Sequence, residues 1–572
     1  MLVQNVSKIR VGCHRPTRSL LITNDCSMAF KIFSYLKDFS LVFLSSFLFV
    51  LSFPTFDLGF LAWVGLLPLF IAIKGKSLKY SFLLSFVCGF LFFVGIFHWI
   101  LQVPKYTLLH HALLGVHLGS YFGFFGLSFN FISTRWGIIP ALFSSPFIWV
   151  SLEFIRSNLS FLALPWTLIA HSQHQYPTII QIVSLSGTYG LSFLIVMVNS
   201  GLTSLVWPLV HHPHPHPPPS KGEGMGRSFA SFASKVGGGK RPSSSLSLLI
   251  TTASLVILTL LYGYLIISQP ISGNRIKVSL VQGNIEQIKK WDPRYAREIM
   301  QIYAELTQEA TKDQPALIVW PETATPGSIN QDFRLHMEVI NIARKAGTYL
   351  LLGSAQHQKF TEKVTRGFKY LNSAFLIDPG TKLVRRQRYD KVRLFPFGEY
   401  LPYKEVIPWS YINVRESSGY VAGKEYTVFN HPDFRFGVTI CWENVFPDLF
   451  RQFVKSGAQL MINITNEAHF GKTAASHQLA SMSVFRAVEN RIYVVRCANT
   501  GVSCIIDPYG RIIDRVKDEK GQDIFIRGVM SGWVIPLDSK TIYTRYGDWF
   551  VWVAMIGSIM FLTVAALKGG KR

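Results

Sequence analysis

Phe436-Gly-Val-Thr-Ile-Cys-Trp-Glu443 is an apolar run rich in strand-forming residues that ends on a cysteine, and Pro447-Asp-Leu-Phe450 soon after it reads as a helix start. Cys441 therefore falls at a sharp strand-to-helix junction. There a side chain and the amides of the coming helix share one cavity, the arrangement that thiolate chemistry needs. Alone, the segment admits two readings: a nucleophilic thiol, or a structural cysteine at the end of a core strand.

The same alternation continues outward on both sides. Between residues 275 and 537, strand patterns at 276–282, 316–320, 349–353, 372–378, 434–440, 460–465, 492–497 and 503–507 interleave with helix patterns at 293–311, 333–346, 447–456 and 476–490. Repeated strand and helix with a few hairpins predicts an α/β sandwich, and a segment of this length can bury its own core.

Two more reactive side chains stand near strand ends. Glu322 follows Ala316-Leu-Ile-Val-Trp-Pro321, so its carboxylate must find a partner or a substrate. It can take a thiol proton and return it to a leaving group, or serve as a helix cap or ion-pair member. Lys391, in Tyr389-Asp-Lys-Val-Arg-Leu-Phe-Pro-Phe-Gly-Glu-Tyr400, is either a solvated surface cation or an ammonium aimed inward. In the second case it lowers a neighbouring thiol's pKa and stabilises an oxyanion.

The rest of the 572-residue chain is of another kind. With 49% hydrophobic, 14% aromatic and only 16% charged residues, it is too apolar for an ordinary soluble protein of this size. Candidate membrane spans lie at 39–53, 59–73, 81–101, 107–131, 137–154, 187–210, 246–267 and 549–567, about eight in all. The first two are short, and Ser52-Phe-Pro-Thr-Phe-Asp57 between them predicts a helical hairpin rather than one kinked helix.

A net charge of +24 raises the question of nucleic acid, but no basic stripe with interleaved aromatics is present. The cations cluster in short loops instead. The first thirty residues, Lys74-Gly-Lys-Ser-Leu-Lys79, Arg135, the stretch with Lys221, Arg227, Lys235, Lys240 and Arg241, and Lys568 with Lys571-Arg572 all fall on one side of the spans. The alternate loops hold little beyond Asp57, Lys105 and Arg156. This bias puts both termini in the cytoplasm and the α/β domain outside, which in a bacterium is the periplasmic face of the inner membrane.

The chain thus divides into a cytoplasmic tail (1–30, without a signal-peptide pattern and with Met28 as an alternative start), a six-span membrane domain (31–210), a low-complexity cytoplasmic insert (211–245), a seventh span (246–268), the α/β domain (275–537) and an eighth span (549–567). In the insert, His211, His212, His214 and His216 offer metal ligands. Alternating prolines hold that chain extended and no partner ligands lie nearby, which favours a linker. The six cysteines show no CxxC pairing, so neither a zinc site nor a dense disulfide framework is indicated. Cys88 falls in a span. Cys497 and Cys504 flank Ala498-Asn-Thr-Gly501 and are either buried thiols or a pair across a hairpin.

Taken in order, Trp320-Pro-Glu322, Tyr389-Asp-Lys391 with Pro396-Phe-Gly-Glu399, and Ile440-Cys-Trp-Glu443 resemble the Glu-Lys-Cys triad of the nitrilase, or carbon-nitrogen hydrolase, superfamily. Further motifs resemble the apolipoprotein N-acyltransferases: Val281-Gln-Gly-Asn-Ile285 with Lys290-Trp291, Thr465-Asn-Glu-Ala-His-Phe-Gly471, Arg486-Ala-Val-Glu-Asn-Arg491, Asn499-Thr-Gly501 and Thr541-Ile-Tyr-Thr-Arg-Tyr-Gly-Asp548. In the membrane half, Leu164-Pro-Trp166 and Gly187-Thr-Tyr-Gly-Leu-Ser192 do the same. The likeness spans nearly the whole chain apart from the first thirty residues and the insert. It departs at Trp442, where the family more often has tyrosine, and at Glu467-Ala-His469, where it usually has Asp-Ala-Trp.

This resemblance implies an extracytoplasmic α/β sandwich of nitrilase type on a polytopic membrane domain, and a two-step acyl transfer. Cys441 attacks an acyl ester of a membrane phospholipid; the α-amine of an N-terminal diacylglyceryl-cysteine on an apolipoprotein then takes the chain as an amide. Glu322 is implied as general base and acid, Lys391 with amides near Trp442 as oxyanion holder, and Glu399 as the residue that orients Lys391 or assists the base. Trp291, Trp442 and Glu443 are implied to line the acyl or lipoprotein site, and no cofactor is implied. From the residues alone, Trp291 is equally an interfacial anchor, and Glu399 and Glu443 are equally partners of nearby cations. The aromatic segments 395–397 and 161–166 are candidate walls for an acyl chain.

A membrane-tethered amidase that hydrolyses its acyl-enzyme is the first rival; it shares the triad but not the span pattern or the late 541–548 motif. A transporter or scaffold is the second. Transport calls for ionisable residues at membrane depth, where almost none is found beyond Glu153 and Arg156 near one span's end.

Overall fold

The structure is a computed structural model that describes residues 20–206, 243–359, 368–380, 387–412 and 419–569. Seven of its helices are long and apolar enough to cross a bilayer: Ile32–Leu51, Leu78–Ile96, Leu108–Trp136, Ile138–Asn158, Thr188–Val206, Ser245–Ile267 and Trp549–Gly569. The remaining expected span, 59–73, is broken into a 3-10 turn, Gly59–Trp63, and a short helix, Leu67–Ile73, that opens at Pro68. Buried Asn199 replaces the helical hydrogen bonds missing at the break: its Oδ1 accepts from Leu66 N at 2.8 Å and its Nδ2 donates to Ala62 O at 3.0 Å. The segment still runs back along the first helix, since Lys76 pairs with Asp38, so these two elements do form a hairpin. The first helix begins at Leu20, inside the expected tail. The histidine-rich insert lies outside the described residues.

The α/β half is built on two six-stranded sheets. One contains β1 (Ile276–Gln282), β2 (Leu317–Val319), β3 (Tyr349–Lys359), β4 (Phe368–Ile377), β5 (Arg388–Asp390) and β12 (Gly528–Val534), in the order 12-1-2-3-4-5. The other contains β6 (Val428–Asn430), β7 (Arg435–Ile440), β8 (Leu460–Thr465), β9 (Tyr493–Ala498), β10 (Cys504–Ile506) and β11 (Ile512–Arg515), in the order 11-10-9-8-7-6. The parallel centres, β1-β2-β3 and β7-β8-β9, are covered on both faces and so read as continuous apolar runs.

Side chains alternate between two cores along each strand. Leu317, Val319 and Leu351 pack toward Val438, Ile440 and Met461 of the facing sheet. Ile318, Leu350 and Leu352 instead join Ile299, Tyr303, Val339 and Ile340, from the helices Ala296–Ala310 and Phe333–Ala346. Helices cover sheets, sheets face each other, and the reactive strand ends emerge at one edge of that sandwich.

The helix Ala474–Asn490 joins the two halves. Every residue in it except His477 is buried, because the second sheet lies on one side and the apolar helices on the other. Gln478 Oε1 accepts from the indoles of Trp99 (3.2 Å) and Trp166 (3.0 Å), and its Nε2 donates to Pro54 O at 3.1 Å. Glu489 accepts from the amide and hydroxyl of Thr188 and pairs with Arg486, while Thr541 Oγ1 donates to Glu489 O at 2.6 Å. Gly187 packs so closely on Tyr543 that a Cβ there would sit 2.8 Å from the ring. The motifs around Trp166, Thr188, Arg486 and Thr541, far apart in sequence, therefore meet in this joint.

Candidate active site

Cys441 closes β7 and opens the 3-10 turn Cys441–Val445, with a backbone φ of 58°, in the left-handed region that non-glycine residues rarely enter. A carboxylate two residues on holds that turn. Glu443 Oε2 accepts from Ile440 N (2.8 Å), and Oε1 accepts from Tyr389 Oη (2.8 Å), Val392 N (2.8 Å) and Arg393 N (2.9 Å). Glu443 thus ties the Cys441 turn to the segment carrying Lys391, and its complete burial makes it a brace rather than an exposed wall of the site. That burial pushes its carboxyl up to about 7.

Glu322 reaches the same place from the end of β2. Residue 323 turns with φ 43°, and a Cβ on Gly353 of β3 would lie 2.7 Å from the Glu322 Cα, so only glycine lets the two chains pass this close. Glu322 Oε1 accepts from Asn372 Nδ2 at 2.7 Å, and Oε2 accepts from Asn466 N at 2.7 Å. Lys391, 1% exposed, stands just past β5 with Nζ 2.8 Å from Glu399 Oε1 and 3.8 Å from Glu322 Oε1. Glu399 is fixed in turn by Phe395 N (2.7 Å) and Asn372 Nδ2 (3.2 Å).

The charges of Glu322, Lys391 and Glu399 all bear on the Cys441 thiol. Burial, reinforced by Glu322 and opposed by Lys391, pushes that thiol up to about 12. Cys441 is accordingly a thiol at neutral pH and needs a base at the moment of attack. Burial pulls the Lys391 ammonium down, but Glu399, Cys441 and Glu322 together hold it above an ordinary lysine. It stays a fixed cation.

Comparison with known proteins assigns the chain to a family. Residues 45–201 match the Apolipoprotein N-acyltransferase N-terminal domain, and residues 277–532 match Carbon-nitrogen hydrolase. The Apolipoprotein N-acyltransferase of Geobacter metallireducens is 34% identical, over 92% of this chain and 95% of that protein. The chain belongs to the apolipoprotein N-acyltransferase family. Its namesake from Chlorobaculum tepidum is 28% identical over 93% of this chain and 97% of its own. Among solved structures, an amidase of the nitrilase superfamily from Nesterenkonia AN1 is 17% identical over 48% of this chain and 95% of its own, with a TM-score of 0.35.

As an N-acyltransferase family member with seven long apolar helices among the described residues, the protein is a multi-pass membrane protein. Trp442 is 5% exposed; its indole donates to Arg393 O at 2.7 Å and its ring meets Phe395 and Phe446 edge-on. It packs the turn after Cys441. Trp291 stays half-exposed, beyond the short helix Gln287–Lys290. The two aromatic segments do meet, since the Phe161 ring lies 6.3 Å from Phe397 and 5.4 Å from Tyr403. Cys497 and Cys504 are free buried thiols, and Cys497 Sγ points at Val281 O and Val319 O of the facing sheet.

Three groups to which sequence reasoning gave no role surround Glu322. Asn372 and the Asn466 amide hold the Glu322 carboxylate, and Lys290 Nζ donates to Glu322 O at 2.9 Å. An asparagine opening an otherwise apolar strand was the available signal for Asn372. Nothing in Lys289-Lys290 marks which lysine turns inward.

Proposed function

We propose that the protein moves a fatty acyl chain from a membrane phospholipid, through a thioester on Cys441, to the α-amine of the N-terminal diacylglyceryl-cysteine of apolipoproteins. The observation that carries this is the convergence of Cys441, Glu322 and Lys391 from three strand ends, on a domain joined at both ends to apolar helices. Glu322 takes the thiol proton as sulfur attacks the ester carbonyl, and delivers it to the departing lysophospholipid oxygen. Lys391 and the amide of Trp442 carry the oxyanion charge.

In the second half, the acceptor amine attacks the thioester, the C–N bond forms and the C–S bond breaks. Glu322 takes a proton from that amine and passes it to the leaving thiolate. Both substrates are anchored in lipid, and the loop-charge bias favours the periplasmic side of the inner membrane, so both arrive by lateral diffusion. The aromatic contact of Phe161 with Phe397 and Tyr403 supports an acyl-chain wall between the halves.

Incubation with a labelled phospholipid is expected to leave a hydroxylamine-sensitive label on Cys441, absent in Cys441→Ala; a diacylated lipopeptide then converts it to an amide. A wild-type protein without the thioester, or Cys441→Ala that keeps it, sinks the reading. Release of free fatty acid alone identifies a hydrolase.

A further inference from the structure

Lys290 is a buried cation beside Glu322 that the transfer chemistry above leaves unused. Its side chain turns inward to 2% exposure, while Ile288 and Trp291 beside it are 87% and 50% exposed. Nζ donates to the main-chain oxygen of Glu322 at 2.9 Å, its one hydrogen-bond partner among the described residues. A buried ammonium has three N–H groups to satisfy, so an amine with a single neutral acceptor is suited to hold a proton only in passing. The charged groups bearing on it are Glu322 and Cys441 from the strand ends, with His469 from the turn Ala468–Phe470. Lys289, on its own turn, pairs with Glu286 at the surface.

The two half-reactions differ in their protons. Thioester formation releases none, because the thiol proton leaves with the lysophospholipid. Aminolysis releases one: the acceptor ammonium brings three protons, the amide keeps one, the thiolate of Cys441 takes one through Glu322, and one is left over. We infer that Lys290 is a second base of this site, taking up that remaining proton from the acceptor amine and passing it to water once the product has left. Burial brings its amine down to about 7, against the opposing pull of Glu322 and Cys441, so an accepting form is populated at neutral pH. The inference rests on the thioester mechanism proposed above.

The test is a single-turnover measurement of each half-reaction on full-length enzyme across neutral pH, using labelled phospholipid and then a diacylated lipopeptide. In the wild type, transfer is expected to rise through about pH 7 more steeply than thioester formation, which shares only the titration of the Glu443 brace there. Lys290→Met is expected to slow transfer by about 100-fold, the ordinary scale of a general base, and thioester formation by less than about threefold. Lys290→Arg keeps the charge and a donor to Glu322 O but cannot act as a base, so it does not restore transfer. Equal slowing of both steps, or rescue by arginine, reduces Lys290 to a prop for the Glu322 loop and overturns the inference. So does a pH dependence of transfer that Lys290→Met leaves unchanged. A wild type that forms no thioester overturns the acyl-transfer reading itself.

Discussion

Lys391 gives its ammonium to Glu399, 2.8 Å away. Glu322 lies beyond hydrogen-bond range of it at 3.8 Å and spends its oxygens on Asn372 and Asn466 N instead. Glu399 therefore absorbs the charge of Lys391 and, in the mechanism proposed above, leaves Glu322 free to handle protons. Glu399→Gln is expected to turn Lys391 toward Glu322 and cut thioester formation by about 100-fold, the scale of a lost general base. It also leaves a buried cation short of its counter-ion, a loss that costs about 3–5 kcal/mol when a partner is removed outright. Labelling kinetics and thermal unfolding in detergent check both; an unaltered labelling rate refutes the division of labour.

Glu322 also shapes the reactivity of the resting thiol. Its negative charge helps to raise Cys441, so removing it lowers the thiol pKa and increases the thiolate present at a given pH. Glu322→Gln is expected to alkylate faster with iodoacetamide at about pH 8 than the wild type does, while forming thioester far more slowly. In the wild type, alkylation climbs with pH and shows no plateau until the thiol titrates at about 12. Slower alkylation of the variant contradicts the electrostatic account.

Glu443 is expected to matter for the shape of the turn at Cys441. Both of its oxygens accept, from three main-chain amides and the Tyr389 hydroxyl. In Glu443→Gln one of those positions becomes a donor facing N–H groups, and a buried group left unmatched costs about 1–3 kcal/mol. Both the unfolding midpoint and the labelling of Cys441 should fall. A variant with wild-type values for both shows that the left-handed turn holds without the brace.

Legibility in the sequence followed burial. β1 and β8 fall at the residues their apolar pattern predicts, and so does the helix Phe333–Ala346, because packing on both faces of a strand or on one stripe of a helix dictates residue type. β5, β6, β11 and β12 escaped, being antiparallel strands toward the sheet edges, some of only three or four residues and partly exposed. Cys441, Glu322 and Lys391 were visible as reactive types at strand ends. Asn372 was not, and Lys290 was legible only as part of a motif with no role, since what places them at Glu322 is contact between segments far apart in the chain. The broken span at 59–73 depends on Asn199, more than a hundred residues away, and no local pattern encodes that.

Gln478 is expected to decide how firmly the α/β domain sits on the membrane helices. One side-chain amide answers two indoles, Trp99 and Trp166, and the carbonyls of Pro54 and Ile96. Both indoles are almost fully buried, with ring centroids 5.4 Å apart, so water cannot readily replace the lost acceptor. Gln478→Leu keeps the volume but strands both N–H groups, at about 1–3 kcal/mol per unmatched buried group. The resulting loosening should lower the unfolding midpoint, shift the emission of Trp99 and Trp166, and open the joint to limited proteolysis before either half unfolds. It should slow transfer to a lipopeptide more than it slows alkylation of Cys441, because alkylation needs only the α/β domain whereas transfer needs both halves in register. Equal effects on the two reactions place the damage inside the α/β domain and refute a role for Gln478 in the joint.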